Sequence, residues 1–446
     1  MLIQFSVENY RSIREKITFS MVASEDIETL PKNTFAVPGN EEIRLLKSAV
    51  IYGPNAAGKS NLVRAMYTLE NIVLQSAKGM GGSRDKLPIE SFRLDTESNQ
   101  KPTLFELIFI CEEVRYEFGI SLDQERIYEE WLIAYFDNEQ QNLYERNFIP
   151  DHRELKPDYK QYNWKFGEYL DLSEENRLIK NLVRRNSLFL SHAAQNSHPQ
   201  LEKIYNWFGD NFNEDQFNIF SPSFPGGGYT AARSLEDHVF RKEIVNFLQK
   251  ADLGISDFRV KENLILLTEK SSIKIIPRAS VSETEGDELL YKQNSRVQLD
   301  IITSHKMVDS DEEREFYMVE HESKGTQRLF EIGGLWLTVL ERGEILVIDE
   351  MESSLHPILS RFLVKMFNNP EINKNNAQLI FTTHDTTFLC DDLFRQDQVW
   401  FVEKEKMSIT RLYSLLEFQP KEDESLQTGY LLGRYGAIPF IGGFSF

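Results

Sequence analysis

The chain has 446 residues, enough for two or three lobes around a substantial core. Its 70 acidic residues against 50 basic ones leave a net charge of −20. That balance argues against strong non-specific DNA binding by the whole molecule, though not against a local basic face such as one around Arg184 and Arg185. Cys111 and Cys390 have no partner at metal-ligand spacing and read as buried reduced thiols.

The N-terminal MLIQFSVENYRSIREK has no apolar leader segment, and no stretch approaches about 18 consecutive apolar residues, so a soluble cytoplasmic protein with no membrane partner is expected. MLIQFSVENY alternates like a strand, and Lys16–Ser20 reads as its hairpin partner. A third strand, Lys47–Tyr52, delivers the chain into GPNAAGKS at 53–60. The spacing Gly53-x4-Gly58-Lys59-Ser60 is that of a phosphate-binding loop. Its backbone N–H groups cradle phosphates, the lysine reaches the outer phosphates, and the serine hydroxyl sits on Mg²⁺. Leu62, Met66, Leu69 and Val73 follow at helical spacing, so strand, loop and helix are all in place.

Lys78–Arg84 reads as a flexible break, and Thr103–Trp131 as antiparallel sheet, followed by charged, aromatic-dotted sequence to about Tyr169. Residues 173–208 read as helical, with Leu178, Leu182, Leu188, Leu201, Ile204 and Trp207 as core positions. PSFPGGGYT (222–230) reads as a loop, 234–252 as a helix, and SETEGDE (282–288) as a solvated acidic loop between strands. There are no repeats and no sustained heptads. Glu344–Glu350 is an apolar strand ending in two carboxylates. Beside a phosphate-binding loop, Asp349 would hold Mg²⁺ through its water shell and Glu350 would polarise the attacking water. Gln378–Asp385 is a further buried strand, ending at His384, which is placed to contact a γ-phosphate.

In this order the motifs resemble the ABC-type ATPase head of the SMC, RecF and OLD proteins, most closely the RloA-like ATPases of bacterial phage-defence loci. Walker A matches at GPNAAGKS, including Asn55, Gly58, Lys59 and Ser60, with Asn61 directly after it, Walker B at ILVIDE, and the D-loop at MESSLHP (351–357). The segments 188–208 and 429–440 also look like that group. His384 matches the switch histidine, and Arg11, in Asn9-Tyr10-Arg11-Ser12, matches an arginine near the nucleotide. Glu322-Ser323-Lys324-Gly325-Thr326-Gln327 resembles the ABC signature, whose Ser323 and Gly325 would reach the γ-phosphate of another subunit. Glu and Lys stand where the transporter motif has Leu and Gly.

The resemblance implies an α/β fold, an ABC-type P-loop ATPase head with a mixed central sheet and antiparallel β lobe, plus a helical lid within an insertion. It divides the chain into 1–92, 93–320 and 321–446. It also implies ATP and Mg²⁺ as cofactors, and a homodimer or higher homo-oligomer that sandwiches two ATP molecules. About sixty residues follow His384, too few for the nuclease module of OLD relatives. The leading expectation is therefore an ATPase that senses or regulates a separate effector, a nuclease, in anti-phage defence. The alternative is a RecF- or SMC-like repair ATPase clamping DNA directly, so nucleic acid stays open as a partner. Arg184, Arg185, Arg233 and Arg241 read as solvated helix faces or, alternatively, as a nucleic-acid or partner surface. A transporter subunit lacks support in the 93–320 insertion, and no Asn-Lys-x-Asp motif marks a GTPase.

Overall fold

The computed structural model describes residues 1–78, 86–170, 178–212, 228–251, 254–267, 273–277, 295–353, 355–390, 392–405, 408–421 and 424–439. They form two units, Met1–Phe220 with Val339–Glu352 and Ser360–Phe446, and Ser221–Thr338 with Ser353–Leu359. The span 93–320 thus contributes to both units, unlike the expected division at 92 and 320. The physical reason is strand pairing, because the insertion begins with a strand that bonds to the N-terminal one.

In the first unit, β1 (Leu2–Glu8) and β2 (Ile17–Ser20) make the expected antiparallel pair, with Phe5 opposite Phe19. β3 (Thr34–Val37) and β4 (Asn40–Leu46) form a separate ribbon. β5 (Ser48–Tyr52) is wholly buried and precedes α1 (Lys59–Gln75), whose Leu62, Met66, Leu69 and Val73 are all buried, as their spacing predicts. A meander follows: β6 (Thr103–Cys111), β7 (Val114–Leu122), β8 (Ile127–Phe136), β9 (Glu139–Phe148) and β10 (Tyr162–Phe166). Its turns at Glu112-Glu113 and Asp137-Asn138 place both central residues at positive φ, the geometry that matches strand twist in two-residue hairpins. β6 pairs with β1, completing a seven-stranded antiparallel sheet in the order β10-β9-β8-β7-β6-β1-β2.

The helical reading of 173–208 needs correction. Residues 171–177 lie outside the described residues. Among those that follow, Leu178 and Leu182 are exposed, whereas Leu188, Leu201, Ile204 and Trp207 are buried. The segment breaks into α2 (Phe189–Gln195) and α3 (Pro199–Asn211), because His198 caps α3 and Pro199 opens it.

The second unit starts with α4 (Gly228–Glu236) and α5 (His238–Lys250), separated by Asp237, which accepts from the Val239 and Phe240 N–H groups. One helix over 234–252 is therefore two. Residues 222–227, 282–288 and most of 78–84 lie outside the described residues. β11 (Ile255–Leu267), β12 (Ile273–Pro277), β13 (Ser295–Lys306) and β14 (Glu313–Tyr317) form an antiparallel sheet in the order β12-β11-β13-β14. Then come α6 (Met318–His321) and α7 (Lys324–Arg342). A Cβ on Gly334 of α7 would lie 2.3 Å from Thr230 Oγ1, so glycine is what lets α4 approach there.

The chain returns to the first unit with β15 (Ile345–Ile348), α8 (Pro357–Asn368), β16 (Gln378–Thr383), β17 (Val399–Lys404), β18 (Thr410–Ser414) and α9 (Leu426–Leu431). Their five-stranded sheet runs β15-β16-β5-β17-β18, parallel except for β18. One apolar core joins this sheet, α1 and the antiparallel sheet. No helix among the described residues is long and apolar enough to cross a membrane. Cys111 is buried and Cys390 half-buried, both as free thiols, so Cys390 is less enclosed than its apolar neighbours suggested.

Three of the four arginines weighed as a surface make side-chain bonds within their own unit. Arg184 Nη2 donates to the Ser76 carbonyl, Arg233 Nη1 to Thr338 Oγ1, and Arg241 Nη2 to Asp257 Oδ1 and the Phe258 carbonyl.

Candidate nucleotide-binding site

Parallel pairing of β15, β16 and β5 brings their carboxyl ends together, the edge where open α/β sheets bind ligands. The loop after β5 has two residues at positive φ, Ala56 at 62° and Gly58 at 117°. A Cβ on Gly58 would lie 2.2 Å from Thr410 Oγ1, so only glycine fits. Lys59 is buried, and its Nζ donates to the Gly53 carbonyl (2.8 Å) and the Pro54 carbonyl (3.3 Å). The same ammonium stands 3.0 Å from His384 Nε2.

Burial lowers the Lys59 pKa, and the carboxylates of Asp349, Glu350 and Glu352 oppose that shift. Burial, and then the Lys59 charge, also lower the His384 pKa, so the imidazole is neutral at pH 7. With Nε2 accepting from the ammonium, its proton belongs on Nδ1. The His384 backbone N–H donates to Glu352 Oε1 at 2.6 Å.

Thr382, one strand over from Asp349, organises the carboxylates. Its hydroxyl donates to Asp349 Oδ1 (2.6 Å) and accepts from the Glu350 N–H (2.9 Å). Glu350 has φ of 53°, left-handed backbone that costs a non-glycine residue roughly 1 kcal/mol and is held by Thr382 on one side and by the Met351 N–H to Thr382 carbonyl bond on the other. Its side chain is exposed at the end of a fully buried strand.

The other predicted residues divide into those at the loop and those elsewhere. Asn55 is exposed on the loop, and Ser60 is half-buried in the first turn of α1. Asn61 Nδ2 donates to Ser12 Oγ at 2.6 Å. Arg11 neighbours that serine, but its guanidinium is engaged by Glu90 at 2.8 Å. Ser323 and Gly325 belong to the second unit. Ser323 Oγ accepts from the Thr326 N–H (3.1 Å) and so caps α7, with Gly325 in its first turn. Before it, Glu322 Oε1 accepts from Thr303 Oγ1 (2.6 Å) and lies 2.7 Å from His305 Nε2.

Sequence reasoning missed Thr382, Glu352, Ser12 and Thr410. Thr382 was findable as a hydroxyl two residues before His384 on a strand beside the carboxylate strand. Thr410 lies outside any motif, and Ser12, though it ends Asn9-Tyr10-Arg11-Ser12, was given no role there. The donor set suits a nucleoside triphosphate with Mg²⁺: an ammonium, the free N–H groups of a helix's first turn, the Ser60 hydroxyl and the Asp349 carboxylate, all hard ligands or anion donors.

The family model described as "AAA domain, putative AbiEii toxin, Type IV TA system" matches residues 48–391, which span all three strands and the loop. Among solved structures, the SMC head domain from Thermotoga maritima is similar at 12% identity, covering 93% of this chain and 98% of that chain, with a TM-score of 0.37. No curated protein matches.

Proposed function

The chain belongs to this AAA-domain family, with an α/β P-loop ATPase fold, and on that premise we propose that it hydrolyses ATP in a site closed by a second copy of itself. The observation that carries the reading is the convergence of Lys59, His384, Asp349 and Glu350 at three adjacent strand ends, with Thr382 and Glu352 bonding across the strands.

Lys59 would exchange its loop carbonyls for the outer phosphates, and His384 would donate Nδ1–H toward the γ-phosphate. Glu350 would take the proton of a water whose oxygen attacks the γ-phosphorus as the bond to the bridging β–γ oxygen breaks, giving ADP and phosphate. Ser60 and Asp349 would hold Mg²⁺, which neutralises phosphate charge when bound. Ser323 and the Gly325 N–H of the other copy would add donors from a helix N-terminus, completing the site only in the dimer. Closure would in turn control a separate effector, a nuclease, in anti-phage defence. The family's description, which names a putative toxin, is what points this reading toward defence.

Glu350→Gln tests the reading. It should bind ATP, hydrolyse it roughly a hundredfold more slowly, and rise in solution mass when Mg-ATP is added. A monomer whose mass ignores ATP removes the composite site, and normal turnover places the base elsewhere. A nuclease from the same locus should co-purify with the ATP-bound variant; its absence removes the effector reading.

A further inference from the structure

The tip of the phosphate-binding loop is held by residues far away in sequence. Tyr10 and Ile13 exchange both backbone hydrogen bonds at 2.8 Å, leaving Arg11 and Ser12 as a two-residue turn. Ser12 is bonded to both β18 and α1: the Thr410 N–H donates to the Ser12 carbonyl (2.8 Å), and Asn61 Nδ2 donates to Ser12 Oγ (2.6 Å). Thr410 Oγ1 lies 2.8 Å from Ser12 Oγ and 2.8 Å from the Ala57 carbonyl. A hydroxyl has one proton. Ser12 Oγ already accepts from Asn61 Nδ2, which leaves the Thr410 proton to the Ala57 carbonyl. The result is a relay from Asn61 through Ser12 and Thr410 to the loop backbone, and Thr410 is buried.

This relay constrains the loop peptide. Ala57 lies between Ala56 and Gly58, both at positive φ, and glycine alone would let the Ala57–Gly58 peptide flip. In a trans peptide the C=O and N–H point in opposite directions. Fixing the Ala57 carbonyl on Thr410 therefore fixes the Gly58 N–H on the opposite side.

We propose that Thr410, backed by Ser12, is a positioning residue that locks the Ala57–Gly58 peptide with its N–H presented to a bound phosphate. This rests on the nucleotide-site reading above. Its effect falls on binding of any nucleotide with a β-phosphate, not on the chemical step.

The test measures Kd for Mg-ADP and Mg-ATP by calorimetry, and kcat at saturating ATP, with the thermal midpoint followed in parallel. Thr410→Val should raise both Kd values about tenfold, the loss of one buried hydrogen bond, and leave kcat within about twofold. Thr410→Ser should restore both Kd values. Unchanged Kd in Thr410→Val, with binding abolished in Lys59→Ala, overturns the lock and leaves the site standing. Binding retained in Lys59→Ala instead overturns the nucleotide reading itself. Raised Kd that serine does not restore assigns the effect to packing and also overturns the lock. Should Thr410→Val not fold, Ser12→Ala decides, because its hydroxyl backs the same relay: weaker binding of both nucleotides supports the proposal, and unchanged binding removes it.

Discussion

The two places proposed above to meet a nucleotide are built by different means. At the carboxyl edge of β5, β15 and β16, backbone pairing does the placing. Val347 pairs with Ile380, which pairs with Ala49, all in buried strands, so the loop, the carboxylates and His384 emerge together. The turn around Ser323 has no such delivery. It follows β14, exposed along its whole length, and is held by side chains: the Ser323 cap, Glu322 on Thr303 and His305, and the Gln327 amide on the Met318, Val319 and Glu322 carbonyls. A site set by strand register stays in place when one side chain changes, so a substitution there removes chemistry alone. A site set by side-chain bonds can be loosened one bond at a time.

The largest effect should come from the first kind. Lys59→Ala removes the buried ammonium without touching a strand, and nucleotide affinity should fall at least about a hundredfold with the melting midpoint preserved. Retained micromolar binding by calorimetry would mean the phosphates lie elsewhere. Ser323→Arg probes the second kind. Nucleotide affinity of the monomer should be unchanged while ATP-driven assembly is lost, read as solution mass in the Glu350→Gln background. If that double variant still assembles with ATP, the turn does not face a partner's nucleotide.

The same contrast decides what the sequence disclosed. Sites placed by strands were legible, because a short apolar run ending in Gly, Asp-Glu or His shows both the strand and its functional end. The β1–β2 hairpin, β6 and β7 were legible by alternation, and the reading stopped at Trp131, midway through β8. β9 and β10 were not. Arg146 and Glu130 are both fully buried and paired at 3.5 Å, so a charged residue occupies a core position and hides the strand. The helical reading of 173–208 failed at 183–188, which are not helical, and where His198-Pro199 starts a new helix. The link between Thr410 and Ser12 was invisible because it joins residues 398 positions apart.

Acid offers a test within the first unit, where a buried polar network underlies α1. His192 Nε2 lies 2.8 Å from Ser187 Oγ, and burial, with Arg184 and Arg146 nearby, lowers its pKa from 6.5 to about 4. A histidine with a depressed folded pKa contributes stability fully present above pH 6.5 and lost as pH falls toward 4, because the unfolded chain binds the proton first. At pH 5 the loss is about 2 kcal/mol. Urea unfolding at pH 7.5 and pH 5 should show His192→Gln losing about 2 kcal/mol less than the parent. Equal losses would mean the imidazole titrates normally.

The smallest effect belongs to Gln327. Its amide nitrogen lies 2.9 to 3.2 Å from three carbonyls, which share its two protons and close the end of α6 onto the start of α7. Gln327→Ala gives those partly exposed carbonyls back to water, so the cost should be about 1 kcal/mol. If side chains alone hold this turn, amide exchange at 318–323 should speed up about fivefold, while exchange in β15 and β16 stays fixed and the monomer's nucleotide affinity does not move. Exchange unchanged at 318–323 would mean the turn is held by its backbone after all. The contrast between a register-built and a side-chain-built site would then fail at its weaker half.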